Sequence, residues 1–147
     1  MLQPLTVHQD QANDSLHLEI QNFYAAQMQA LDAGAAEAWA ATFTADGVFA
    51  ANAHPEPTRG RAALAAAALA TSADLAARGV VRRHWLGMLT VRAGSAGTAY
   101  ARSYALVVAT PKGGKPALAF STLCEDTLVR EDGGWLVRER VVTRDDL

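Results

Sequence analysis

Leu16, Ile20, Phe23, Tyr24, Met28 and Leu31 recur at steps of three and four residues, the spacing of one apolar face of a helix. Asp14 or Ser15 is placed to cap its start. Asp32-Ala33-Gly34 ends it with a glycine suited to the left-handed position after a helix, and a short second helix is predicted over Ala35 to Phe43. Asp46-Gly47 signals a turn, and Val48 to Ala51 reads as a short strand. Pro55 and Pro57 make Asn52 to Arg59 a loop, which leads into an alanine-rich third helix from about Arg61 to Arg78, stopped by Gly79. Residues 1–13 show no sustained period and read as an N-terminal arm ahead of a single domain over 14–147.

Beyond Gly79 the grammar changes to long β segments: Val80 to Arg92, Thr98 to Thr110, Ala117 to Arg130 and Trp135 to Arg144. The connectors Ala93 to Gly97, Pro111 to Pro116 and Glu131 to Gly134 are short and glycine-rich, as the turns of an antiparallel meander should be. Helices first and strands later define an α+β domain. The first long strand carries His84 within an apolar run, Gly79 to Val91. Strict alternation puts Leu86 and Met88 on its face and Arg83, Trp85 and Leu89 on the other. His84 therefore looks into either a core or a pocket.

Half of the 147 residues are hydrophobic, enough for one sizeable core. The net charge is -2 with the arginines scattered, so no basic stripe for nucleic acid is present. Cys124 is the single cysteine, which excludes an internal disulfide and fits a reducing cytoplasm. The first fifteen residues lack the basic and hydrophobic regions of a secretory signal. The longest apolar run, Ala62 to Ala70, is nine residues, far short of the roughly 18–20 that span a bilayer. Gly113-Gly114-Lys115 is followed by Pro116 and lacks phosphate-loop spacing, and the four histidines show no metal-ligand spacing, so neither a metal nor a cofactor is expected.

The order helix, short helix, short strand, helix, four long strands resembles the SnoaL-like, or nuclear-transport-factor-2-like, fold family over nearly the whole chain. The resemblance is carried by Phe23-Tyr24 through Leu31-Asp32-Ala33-Gly34, by Ala38 through Phe49, by Arg59-Gly60-Arg61, by Arg83-His84 and by Asp132-Gly133-Gly134-Trp135. It implies a cone-shaped, curved antiparallel sheet of four long strands plus a short N-terminal strand, covered by three helices. It also implies a pocket for a small hydrophobic or aromatic substrate and a homodimer or homotrimer formed through the sheet. The family includes polyketide cyclases, scytalone dehydratase, ketosteroid isomerase, limonene epoxide hydrolase and non-catalytic dioxygenase subunits, so the fold alone does not choose the chemistry.

The nearest motifs are those of the dehydratase and cyclase branch, which has an acidic residue where Asp32 stands and a strand histidine where His84 stands. The resemblance implies general acid–base catalysis by His84 oriented by Asp32, with Tyr24 or Tyr104 as oxyanion donor. Asp32 as a helix cap and His84 as a satisfied interior histidine are the structural alternatives. Trp39, Phe43, Phe49, Met88 and Phe120 read as core or as the wall of a substrate site. Arg102 reads as an anchor for an anionic substrate, a buried partner of Glu125 or Asp126, or surface.

The branch has a second histidine where this chain has Leu106-Val107-Val108, and Thr122 and Cys124 stand at its serine and asparagine positions. Ala50-Ala51-Asn52 lacks the catalytic carboxylate of an isomerase, and Arg102-Ser103-Tyr104 lacks the Arg-x-Asp step of an epoxide hydrolase, although Asp126 lies on the next strand. A cofactor-independent dehydratase or cyclase is thus the leading expectation. A non-catalytic binding or assembly subunit is the alternative, and an epoxide hydrolase or isomerase the third.

Overall fold

A computed structural model describes residues 7–147, with the side chains of residues 7–11 outside the description. Helix α1 spans Val7–Asp32, α2 Ala36–Ala40 and α3 Arg61–Arg78; strands β1 to β6 span Phe43–Ala51, Thr58–Arg59, Val80–Ala93, Thr98–Pro111, Ala117–Glu131 and Gly134–Arg144. The α+β architecture expected from the sequence is present as one curved sheet of order β2-β1-β6-β5-β4-β3, covered by the helices. Neighbouring strands run antiparallel except β1 and β6, which are parallel.

Four boundaries differ from expectation. Helix α1 begins at Val7, inside the segment read as an arm, while residues 1–6 of that arm lie outside the described residues. The second helix stops early because the Thr42 hydroxyl donates to the Trp39 carbonyl at 2.5 Å, and the Thr42 carbonyl turns to accept the amide of Val137 at 2.9 Å. Phe43 thereby becomes the first residue of β1, opposite Val137, and both are fully buried. The segment read as a loop contributes the two-residue β2, which pairs Thr58 with Phe49.

The long strands follow the predicted meander. Asp132 and Gly133 both take positive φ (51° and 79°) between the paired residues Glu131 and Gly134, which is a two-residue hairpin turn of the kind Asp-Gly favours. Gly79 closes α3 at φ 65°, its amide bonding the Ala76 carbonyl at 3.1 Å.

Small residues Ala99, Ala101, Ser103 and Ala105 line the buried, concave side of β4, and α1 packs on the sheet through β3. At one end of the cone Ile20, Tyr24, Trp39, Phe43, Leu64, Leu128 and Val137 pack into a sealed apolar core. At the other end, where β3 begins and β6 ends, the inner-face residues are only half-buried. No helix among the described residues is long and apolar enough to cross a membrane.

Candidate functional site

Asp32 is the last residue of α1, and the antiparallel register places His84 on β3 opposite Val107 of β4, which in turn faces Phe120 of β5. The two elements bring Asp32 and His84 into a double contact. Asp32 Oδ1 lies 2.6 Å from His84 Nδ1, and Oδ2 accepts the His84 backbone N–H at 2.9 Å. An ionised carboxylate only accepts, so the Nδ1 nitrogen is the one that carries hydrogen. The Nε2 nitrogen has no hydrogen-bond partner among the described residues, and the side chain stands on the half-buried inner face of β3. The side chains are 21% and 8% exposed for His84 and Asp32, so the carboxylate is buried and the imidazole only partly so.

Around it the inner face is built from rows that cross the sheet. Leu86, Ala105, Thr122 and Arg144 form one row, while Arg82, two residues before His84, shares its face. The Arg82 and Arg144 guanidiniums both stack on the Phe120 ring, at 5.4 and 4.4 Å from its centroid. Arg82 Nε is buried without a hydrogen-bond partner among the described residues.

Deeper in the cone, between this face and the apolar core, lies a closed polar network. Asp126 accepts from Arg140 Nε at 2.9 Å, from Arg140 Nη2 at 2.7 Å, from the Tyr24 hydroxyl at 2.5 Å and, more weakly, from the Cys124 thiol at 3.7 Å. Arg140 also donates to Gln27 Oε1 at 2.8 Å, and Gln27 donates to the Thr42 hydroxyl at 2.7 Å. Burial would lower the Arg140 pKa, but the Asp126 charge beside it overrides that and holds the guanidinium firmly protonated. Burial first, and then the Asp126 charge, push the Tyr24 phenol well above its usual value. Burial pushes the Cys124 thiol up to about 12. Every one of these shifts holds a group in one protonation state near neutral pH, the behaviour of a structural strut.

Several expected site residues stand elsewhere. Tyr24 already donates its hydroxyl to buried Asp126, so it is not a free oxyanion donor beside His84. Tyr104 projects from the outer face of the sheet at 54% exposure, away from His84. Strict alternation predicts Met88 on the His84 face, and the structure does not place it there. A β-bulge between Gly87 and Thr90, with Met88 at φ 53°, reverses the alternation, leaving Met88 76% exposed and turning Leu89 inward against the core. Arg102 lies on the outer surface, lining a shallow groove with Tyr100, Glu125 and Glu139, and Asp126 takes Arg140 as its partner instead. Trp39 and Phe43 sit edge to face at 5.0 Å in the sealed core, with Phe49 packed beside Trp39 at 6.3 Å; of the expected wall residues Phe120 alone stands on the His84 row.

Arg82, Arg140, Arg144 and Gln27 are site and network residues that the sequence reading does not single out. For Arg82 the signal is present, since it alternates with His84 at a spacing of two. Among the described residues no group of three or more metal-ligating side chains converges.

A cone of sheet closed by helices, with a shielded polar pair on its inner face, defines a class of small-molecule-handling domains. Residues 15–141 match the SnoaL-like domain, and the chain belongs to that family. Solved structures agree. Aln2 from a Streptomyces species is 34% identical over 90% of this chain and 92% of its own, with a TM-score of 0.83. ActVI-ORFA from Streptomyces coelicolor is 36% identical over 91% of this chain and 98% of its own, also at 0.83. A protein from Catenulispora acidiphila, solved in complex with S-DNPA, is 34% identical over 90% of this chain and 96% of its own, at 0.79. Among curated proteins there is no match to the chain. The family and these relatives support a small-molecule enzyme of this fold.

Proposed function

We propose that the protein is a cytoplasmic, cofactor-independent dehydratase or cyclase acting on an aromatic or polyketide-type small molecule. The reading is carried by one observation: Asp32 holds His84 Nδ1 at 2.6 Å while Nε2 is left without a partner on the concave face. With Nδ1–H donated to a carboxylate, Nε2 is the basic nitrogen, and the imidazolium formed on protonation is stabilised by the same carboxylate. In the dehydratase reaction Nε2 takes a proton from the carbon beside a substrate carbonyl. The C–H electron pair becomes the new C=C bond, the C–O bond to the departing hydroxyl breaks, and Nε2 returns its proton to that oxygen so that water leaves. In a cyclase the same proton removal yields the enolate that closes a ring. One group serves as both base and acid, in keeping with the lack of a second histidine at Leu106-Val107-Val108.

Self-association as a dimer or trimer through the outer sheet face belongs to the same proposal. There Trp85, at 72% exposure, stands with Tyr104 and Met88 on neighbouring strands β3 and β4.

The test is incubation with linear, cyclic and aromatic polyketide-type candidates, followed by mass spectrometry for loss of water and chromatography for ring closure. Turnover that disappears in folded His84→Ala supports the reading. Full turnover in both folded His84→Ala and folded Asp32→Asn overturns it, and binding without conversion of any candidate transfers the protein to the binding-subunit class.

A further inference from the structure

Two cations and one aromatic ring at the His84 end of the sheet are not used by the acid–base chemistry. Arg82 and Arg144 reach the Phe120 ring from opposite strands of the sheet, β3 and β6, with centroid distances of 5.4 and 4.4 Å. Like charges gathered on one ring repel, and a ring face offsets only part of that cost. The acids near them are occupied. Asp32 is bound to His84, Asp145 accepts from the Ser121 hydroxyl at 2.7 Å, and Asp146 alone meets Arg144.

The Arg144–Asp146 contact shows what this guanidinium is set up to hold. Nε and Nη2 each donate to a different oxygen of the one carboxylate, at 3.0 and 2.7 Å, the fork-to-fork geometry of carboxylate capture. Asp146 is mostly exposed on the tail after β6, so the pair is weak and displaceable. Arg82 Nε, by contrast, is a buried donor with nothing to donate to among the described residues, an arrangement that costs stability unless a ligand answers it.

We propose that Arg82, Phe120 and Arg144 form a carboxylate-binding subsite, and that the substrate is an aromatic or polyketide-type molecule bearing a carboxylate that displaces Asp146 from Arg144. This rests on reading the His84 face as the substrate site. His84 and Arg82 alternate on one strand, so a carboxylate held by the arginines sets the distance along the ligand at which the proton is removed. Phe120 carries both guanidiniums over its ring and so fixes where the two cations stand.

The probe is 2-naphthoate, compared with the neutral isostere 2-naphthamide, in calorimetric and NMR titrations of the full chain. The expected result is at least tenfold tighter binding of the carboxylate, a shift of the Phe120 ring resonances, and loss of that preference in Arg82→Met and Arg144→Met. Arg82→Lys, which keeps the charge, retains part of the preference and guards against a misfolded Met variant. Asp146→Asn, on the exposed tail, tightens naphthoate binding two-fold or more by freeing Arg144. Equal binding of acid and amide, absence of binding by both, or a preference that survives both folded Met variants overturns the subsite. His84→Ala separates this from the proposed chemistry: the carboxylate preference persists in that variant, whatever becomes of turnover.

Discussion

Asp32 holds His84 by two atoms of each residue, one carboxylate oxygen on the ring Nδ1 and the other on the backbone N–H. The contact ties the end of α1 to a strand 52 residues away, beyond the local turn that a helix cap serves. The amide contact fixes where Asp32 sits, and the ring contact fixes which nitrogen faces the concave side. In the proposed mechanism the orientation of His84 is thereby separable from its chemistry, and the two can be tested apart.

Asp32→Asn separates them. The Asn carbonyl oxygen still accepts the His84 amide, so the fold persists, while the charge that stabilises imidazolium is gone. Turnover of whichever candidate is accepted should fall by roughly 10²-fold or more, on the scale of general acid–base catalysis, with KM little changed. A kcat left within a few-fold of the parent in a steady-state assay would remove Asp32 from the mechanism.

Asp126 and Arg140 form the other strong pair, and its role is different. Removing Asp126 leaves a buried guanidinium without its counter-charge and the Tyr24 hydroxyl without its acceptor. Asp126→Ala should therefore cost about 3–5 kcal/mol of unfolding free energy, read from urea denaturation. The double variant Asp126→Leu with Arg140→Met should be milder than either single change, since no unpaired charge remains. A single Asp126→Ala that denatures like the parent would show that the network bears no stability.

The fold is readable because its periods are long and its punctuation is chemical. Ile20, Tyr24 and Met28 fix the buried face of α1, and Asp132-Gly133 fixes a hairpin, each by local rules. The site is readable only in part. The alternation that puts His84 and Arg82 on one face fails at Met88, because a bulge adds a residue that hydrophobic periodicity does not record. Tyr104 misleads for another reason. Its strand turns the small residues Ala101, Ser103 and Ala105 inward and Tyr100, Arg102 and Tyr104 outward, the reverse of what size suggests. The Gln27–Arg140 contact joins residues 113 apart, and no local pattern announces it.

Cys124 gives a prediction about pH. Burial raises its thiol from the usual 9.0 to about 12, and Tyr24 is shifted in the same sense. The folded chain thus keeps protons that the unfolded chain releases. The contribution is fully present below about pH 9 and is lost as pH rises toward 12. Denaturation midpoints should fall across that window, and Cys124→Ala should flatten the fall near its lower end. At pH 8 the native thiol should react with an aromatic disulfide reagent roughly a hundred-fold more slowly than in denaturant, because it is both buried and protonated. Rapid labelling of the native protein at pH 8 would contradict this placement.

The outer face of β3 and β4 carries the last prediction. Trp85, Tyr104 and Met88 stand exposed there, while the opposite side of β3 packs against α1 and that of β4 is buried. In the proposed self-association this exposed apolar patch is what a second copy covers. Trp85→Glu should leave the circular dichroism spectrum unchanged while converting the assembled species seen in light scattering to a monomer, because a carboxylate at the centre of an apolar contact is desolvated without a partner. His84 is on the opposite face of the same strand, one residue away, so the proposed assembly would also brace the backbone from which it projects. The monomeric variant should then show a raised KM with a folded inner face. A Trp85→Glu protein that remains the same size as the parent would place the assembly surface elsewhere.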